Sequence, residues 1–187
     1  MGEILSILGK EDFYFAMLRT ATPVLLTTLG AMTASRAGVS NIALEGTMLF
    51  AAFFGVIVSA FSQSALLGFL AAVGIGLLIS LLLSYFILEL HSNGILSGIA
   101  LNTLASGGTI FLLFLITGEK GASTSLHSLK LPALNIPLIE NIPFVGKILS
   151  GQHILTYLSL LLVFVIATLF KKSRLGMEII AVGENPE

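Results

Sequence analysis

The sequence contains no cysteine and no tryptophan, and only 10% of its 187 residues are charged. Without cysteine, the chain has no disulfides, thiolate metal ligands or cysteine nucleophiles. Soluble domains carry roughly 25% charged residues, so this chain has too few charges to cover a water-soluble surface. The formal net charge of -1 gives no basic field for nucleic acid, and no nucleic-acid partner is expected.

Motifs that carry catalytic chemistry are also lacking. His91, His127 and His153 stand alone, without the H-E-x-x-H spacing of a metal site, and no G-x-S-x-G nucleophile motif occurs. There is no glycine-rich phosphate loop followed by Lys and Ser or Thr, so any ATP must bind another subunit. The sequence therefore predicts a protein that is not an enzyme and that holds no metal or cofactor of its own.

Hydrophobic residues, by contrast, make up 56% of the chain and form long runs. A helix needs about 20 predominantly apolar residues to cross a bilayer. Five stretches meet that requirement: Phe13–Ala34, Ile42–Phe61, Ala65–Leu88, Ile95–Thr117 and His153–Phe170. The sequence therefore predicts an all-α, polytopic transmembrane helix bundle with about five spanning helices in the lipid bilayer, with residues 1–187 forming a single transmembrane domain.

The distribution of basic residues predicts the orientation. Lys171, Lys172 and Arg174 directly follow the fifth stretch, and basic residues flanking a span favour the cytoplasmic side. The C-terminal end is therefore expected in the cytoplasm, and counting back places Gly118–Gln152 outside. That segment contains three prolines, which prevent a continuous helix, so we expect a surface segment instead of another crossing.

Small residues recur every four positions on two of the predicted spans. Such faces let helix backbones approach closely in lipid. The predicted helix-packing residues are Gly76, Ser80 and Ser84 on the third span and Gly98 on the fourth. Asn102 continues the second series, and its amide needs polar partners in the membrane, so it either bridges two helices or faces a polar pathway.

The run from Arg36 to Gly46 is unusually polar for the start of a spanning helix. Within a membrane, interrupted backbone is tolerated only where protein buries it or where it lines a water-filled cavity. We therefore predict an interruption near residues 36–46 and take Asn41 and Glu45, with Asn102, as translocation-path candidates. The alternative is that Arg36 marks the interface and that Glu45 pairs with Arg36 or Arg19 as scaffold.

Two segments resemble a known family. Residues 36–49 (RAGVSNIALEGTML) and 174–187 (RLGMEIIAVGENPE) resemble permease subunits of ABC importers of the branched-chain amino acid/ribose-type superfamily, in its nucleoside and simple-sugar branch. The resemblance implies import of nucleosides or simple sugars across the plasma membrane. It also implies three partners: a cytoplasmic ABC ATPase, a second permease subunit and an extracellular substrate-binding lipoprotein.

The same resemblance implies that the last residues couple to the ATPase. The coupling candidates are Gly176, Gly183, Glu184, Asn185 and Pro186. Family members continue beyond this motif, so the chain is expected to be an N-terminal fragment, an incomplete permease domain that ends within the cytoplasmic coupling segment.

Three other interpretations stay open at this point. The Asn-Pro pair alone would explain a simple solvated turn at the C-terminal end. Glu45 with a histidine could serve an intramembrane lipid-modifying enzyme, although the histidines lie at the ends of spans. A secondary transporter half would contain two similar interrupted spans, of which the sequence presents one.

Overall fold

The computed structural model describes residues 11–119, 125–134 and 148–184. These residues form six helices: α1 (Glu11–Arg36), α2 (Leu44–Ser62), α3 (Ala65–Leu88), α4 (Gly94–Thr117), α5 (Ile154–Lys172) and α6 (Arg174–Glu184). Two strands, β1 (Ala133–Leu134) and β2 (Gln152–His153), pair antiparallel. The chain divides into two compact units, Met1–Gly38 with Leu131–Glu187 (unit one) and Val39–Lys130 (unit two). The prediction of a single domain over residues 1–187 stays a prediction.

Helices α1 to α5 are each long and apolar enough to cross a membrane. The prediction of an all-α bundle with about five spanning helices is therefore confirmed. Large apolar side chains cover the outer surface of these helices, as on α3, where Leu66, Leu77 and Leu81 are all more than half exposed. Exposed apolar surface of this extent marks contact with lipid or with other apolar protein surfaces.

The first span is continuous through Arg19 and Pro23. Proline removes one backbone hydrogen bond from a helix, and side-chain hydroxyls are among the groups that compensate in membranes. The carbonyl that Pro23 leaves without its helical donor is that of Arg19. The Thr27 hydroxyl donates to the carbonyl of Pro23 itself at 2.9 Å, one turn further along the helix. Non-helical backbone occurs instead at residues 37–43, inside the predicted interruption, and it connects two complete helices.

Polar side chains cap the starts of two helices, α3 and α4. Ser64 accepts a hydrogen bond from the Leu67 amide at 3.4 Å, and Asn93 accepts one from the Ile95 amide at 2.9 Å. Both residues are N-caps, which satisfy amides that have no partner within the helix. The turns before α3 and α4 are therefore specified locally by the sequence.

In unit two, α2 packs closely against α3 through small residues. A Cβ atom added to Gly68 would lie 2.6 Å from the Ser59 Cβ and 2.7 Å from the Gly55 carbonyl oxygen. Only glycine allows this approach, because real Cβ atoms do not come so close to other heavy atoms. The α2–α3 pair therefore depends on Gly68, which the sequence analysis did not single out.

In unit one, buried polar side chains join α1 to α5. The Thr22 hydroxyl donates to the Thr156 hydroxyl at 3.0 Å, and both residues are buried. The Gln152 amide nitrogen donates to the carbonyls of Phe15 at 3.0 Å and Ile148 at 3.1 Å. Interhelical hydrogen bonds such as the one between Thr22 and Thr156 stabilise helix pairs where lipid provides no hydrophobic drive.

Part of the segment predicted to lie on the surface is described. Residues 125–134 contain no helix and are mostly exposed, which fits that prediction. The Leu129 amide donates to the Ser59 hydroxyl at 3.1 Å, so the middle of this stretch is hydrogen-bonded to α2. Residues 120–124 and 135–147 lie outside the described residues.

We expect Gly68→Ala to destabilise the protein by about 1–3 kcal/mol, because the added methyl group overpacks the contact with Ser59. Thermal unfolding of the purified protein in detergent would measure the loss. Gly74→Ala on the same helix is the matched control, since nothing lies within 4 Å of its added Cβ. Equal melting temperatures for the two variants would contradict the α2–α3 contact.

Candidate functional site

The segment between α1 and α2 turns through hydrogen bonds made by its own polar residues. Gly38 has a φ of +80°, a left-handed conformation that glycine adopts without steric cost. The Asn41 side-chain oxygen then accepts from the Ala43 amide at 3.1 Å, which tightens the turn into α2. Ala43 occupies the N-cap position of α2 but has no side chain that can cap it. The first amides of α2 therefore need an acceptor from elsewhere.

Asn102 on α4 supplies that acceptor. Its Oδ1 accepts from the Gly46 amide at 2.7 Å, and its Nδ2 donates to the Ile42 carbonyl at 2.9 Å. One carboxamide thus satisfies a donor in the first turn of α2 and a carbonyl in the segment before it. Of the two roles predicted for Asn102, the geometry supports the bridge between helices, and the pathway role stays a prediction.

Two glycines make this bridge possible by removing side chains from the contact. A Cβ atom on Gly46 would lie 2.8 Å from the Asn102 Oδ1 and 2.9 Å from its Cα. A Cβ atom on Gly98 would lie 3.0 Å from the Ile42 Cβ. Gly98, predicted as a helix-packing residue, therefore packs against the non-helical segment directly before α2.

Glu45 lies next to this bridge but does not take part in it. Its side chain is exposed in the first turn of α2, where the helix dipole favours a negative charge. Asn41 and Asn102 are half-buried, and each uses its side-chain oxygen to accept from a backbone amide. The three pathway candidates are therefore brought together at the start of α2 in unit two, with Glu45 as the exposed charged member.

The predicted coupling segment forms the short helix α6, which folds back on the end of α5. Ser173 ends α5, and its hydroxyl accepts from the Gly176 amide at 3.1 Å, so one residue separates and caps the two helices. Gly176 is buried, and a Cβ atom there would lie 2.2 Å from the Leu169 carbonyl oxygen. Glycine is therefore required at position 176 for this tight turn.

The other end of α6 contacts the end of α1. A Cβ atom on Gly183 would lie 2.2 Å from the Arg36 carbonyl oxygen, so the two backbones touch. Glu184, the last residue of α6, is exposed. The remaining coupling candidates, Asn185 and Pro186, lie outside the described residues.

The predicted packing face of α3 is offset from the contacts that the structure shows. A Cβ atom on Gly76 would lie 4.0 Å from the Thr47 Cγ2, so this glycine faces α2 without close contact. Ser80 and Ser84 are exposed, and their role in packing stays a prediction. The close contact lies further toward the start of α3, at Gly68, which is eight residues before Gly76.

Three polar residues of unit one escaped the sequence analysis. Gln152 is completely buried directly before α5, and its Oε1 has no hydrogen-bond partner among the described residues. Thr22 and Thr156 are buried in spanning helices, where their small hydroxyls give little signal in an apolar run. The available signal for Gln152 was its position, a polar amide at the start of a span.

The chain matches a known family of transport proteins. The family model described as the permease component of a branched-chain amino acid transport system matches residues 13–187. The chain belongs to this permease family. The match includes both segments that carry the resemblance and all six described helices except the first two residues of α1.

Several curated proteins are similar to this permease along nearly its whole length. The guanosine ABC transporter permease protein NupQ of Bacillus subtilis is 35% identical over 191 residues, which cover 98% of this chain and 58% of that protein. A protein of Haloferax volcanii, provisionally named a glucose ABC transporter permease, is 34% identical over 176 residues, covering 92% of this chain and 51% of that protein.

A third relative is the nucleoside ABC transporter permease protein NupC of Lactococcus lactis, 33% identical over 181 residues, covering 91% of this chain and 55% of that protein. The permease chain therefore spans a little over half the length of these relatives. No solved structure matches it. Membership in a family of transport components favours a transporter over the lipid-modifying enzyme considered above.

We expect Asn102→Leu to destabilise the permease by about 1–2 kcal/mol, because it leaves the Ile42 carbonyl and the Gly46 amide without their partner. Thermal unfolding in detergent measures this loss. Thr103→Val is the matched control, since the Thr103 hydroxyl donates only to the Ile99 carbonyl of its own helix. Unchanged stability together with lost transport would show that Asn102 serves the pathway and not the bridge.

Proposed function

We propose that this chain is a membrane-spanning permease subunit of an ABC importer and contributes to the translocation pathway for nucleosides or simple sugars. The observation that carries the proposal is the family match over residues 13–187. The named relatives include two nucleoside or guanosine permeases and one assigned to glucose, which is why both substrate classes are proposed.

The proposal assigns ATP hydrolysis to a separate cytoplasmic ABC ATPase. A second permease subunit and an extracellular substrate-binding lipoprotein complete the assembly in the plasma membrane. The lack of a phosphate-binding loop in this sequence supports the division of labour between subunits.

Helix α6 is the surface proposed to dock the ATPase. At 11 residues it is too short to cross a bilayer. Gly176 and Gly183 hold one face of it against the ends of α5 and α1. The opposite side exposes Leu175 (65%), Glu178 and Val182 (61%), spaced so that they share one helix face. An anchored helix with a free apolar and acidic face suits the docking of another protein.

The translocation pathway is proposed to pass the non-helical segment before α2. Asn41 and Glu45 lie in or next to that segment, and the bridge from Asn102 holds it to α4. Glu45 is exposed and takes no part in the bridge, so its carboxylate is available to line a polar pathway. This supports a role for Glu45 beyond scaffold.

The proposed orientation places α6 in the cytoplasm, and a labelling experiment tests it. The chain has no cysteine, so a single introduced cysteine is a unique reporter. In right-side-out membrane vesicles, a charged maleimide is expected to label Gln63→Cys, which lies in the turn between α2 and α3. Glu184→Cys is expected to react only after the membrane is permeabilised. The reverse pattern would contradict the orientation.

Docking of the ATPase on α6 is tested by crosslinking. We expect a photoreactive maleimide attached to Glu184→Cys to crosslink to the co-expressed ATPase, because Glu184 is exposed at the end of the proposed docking helix. Glu89→Cys is the matched control, an exposed glutamate at the end of α3 that the same orientation places on the cytoplasmic side. Equal crosslinking from both positions would argue against a dedicated contact at α6.

A further inference from the structure

The end of α6 and the end of α1 meet backbone to backbone. A Cβ atom on Gly183 would lie 2.2 Å from the Arg36 carbonyl oxygen and 2.8 Å from the Gly38 nitrogen. A Cβ atom on Gly38 would lie 3.1 Å from both the Cα and the carbonyl oxygen of Gly183. No side chain separates the two segments at this point, since each contributes a glycine.

Contacts of this kind differ mechanically from contacts between side chains. Side chains absorb small displacements by changing rotamer. Close-packed groups that have no such freedom pass strain on. Helix α6 is also closely packed at its other end, where Gly176 lies against the Leu169 carbonyl. We therefore expect a displacement of α6 to displace residues 36–38 as well.

Gly38 lies directly before the segment that leads into α2. It is the last residue of the first segment of unit one, and Val39 begins unit two. Its φ of +80° makes it a special point of the backbone, since other residues adopt this conformation only with strain. Three residues further along the chain is Asn41, whose side chain shapes the turn into α2. A displacement of Gly38 would therefore be passed along the backbone into the proposed translocation segment.

We propose that Gly183 and Gly38 form the contact through which movement of α6 reaches the segment before α2. The inference rests on the proposed function, in which the ATPase docks on α6, and adds the point of transmission to it. Gly183 and Gly38 act here as positioning residues, which touch neither substrate nor ATP.

The test compares chromosomal variants of the permease gene, with the natural partners present. Gly183→Ala is expected to lower ATP-driven uptake by about tenfold, because its methyl group forces the two backbones apart. Co-purification of the ATPase and ATP hydrolysis by the complex are expected to persist. Gly74→Ala is the matched control, because its added Cβ meets nothing within 4 Å.

A conformational readout separates transmission from simple packing. Ser40 is exposed in the segment before α2, and Ser40→Cys is a unique thiol in this chain. Its rate of labelling by maleimide is expected to change when ATP is added to the assembled complex. In the Gly183→Ala background that ATP dependence is expected to disappear, whereas the Gly74→Ala background retains it.

Each outcome supports or overturns either this inference or the proposed function. Normal uptake and a retained ATP response in Gly183→Ala would overturn the inference while leaving the proposed function intact. Failure of the unsubstituted chain to co-purify with an ATPase would instead overturn the proposed function. If Gly183→Ala does not accumulate in the membrane, Gly38→Ala, with its milder 3.1 Å contact, takes its place. Loss of both variants from the membrane would make the contact a folding requirement and would overturn the inference.

Discussion

Backbone amides and carbonyls within a membrane must find partners inside the protein, because lipid supplies none. That constraint is sharpest where a spanning helix begins without its own capping residue, as α2 does at Ala43. Asn102 meets the need from the neighbouring helix with one acceptor and one donor. The glycines at 46 and 98 follow from this bridge, because any larger side chain would keep α4 away from the start of α2.

The bridge also explains how a polar segment can persist in an apolar bundle. The bridge gives partners to the Ile42 carbonyl and the Gly46 amide, and Glu45 stays exposed beside it. On its other side, the segment continues directly from Gly38, which lies against α6. The residue that contacts the proposed coupling helix, Gly38, is thus only three residues before Asn41 in the proposed pathway segment, an arrangement that suits the proposed coupling to a separate ATPase.

The spans were predictable because apolar length is a local property, and the observed helix ends lie within two residues of those predicted. The packing of Ser80 and Ser84 was less predictable, since a four-residue series identifies a stripe of small residues but not the side on which a neighbour packs. The contacts of Gly68 and Asn102 could not be predicted, because they depend on which helices pack against each other. The Thr22–Thr156 bond joins residues 134 apart, and no local pattern encodes such a pairing.

That separation has a consequence for how the protein is made. Helices α2, α3 and α4 of unit two are consecutive in the sequence, so they can pack together as soon as all three have been synthesised. Helix α1 has to wait, since its hydrogen-bonding partner on α5 is synthesised 134 residues later. Until α5 is made, the Thr22 hydroxyl is limited to its bond with the Leu18 carbonyl of its own helix, so α1 is among the last of the described helices to be locked in place.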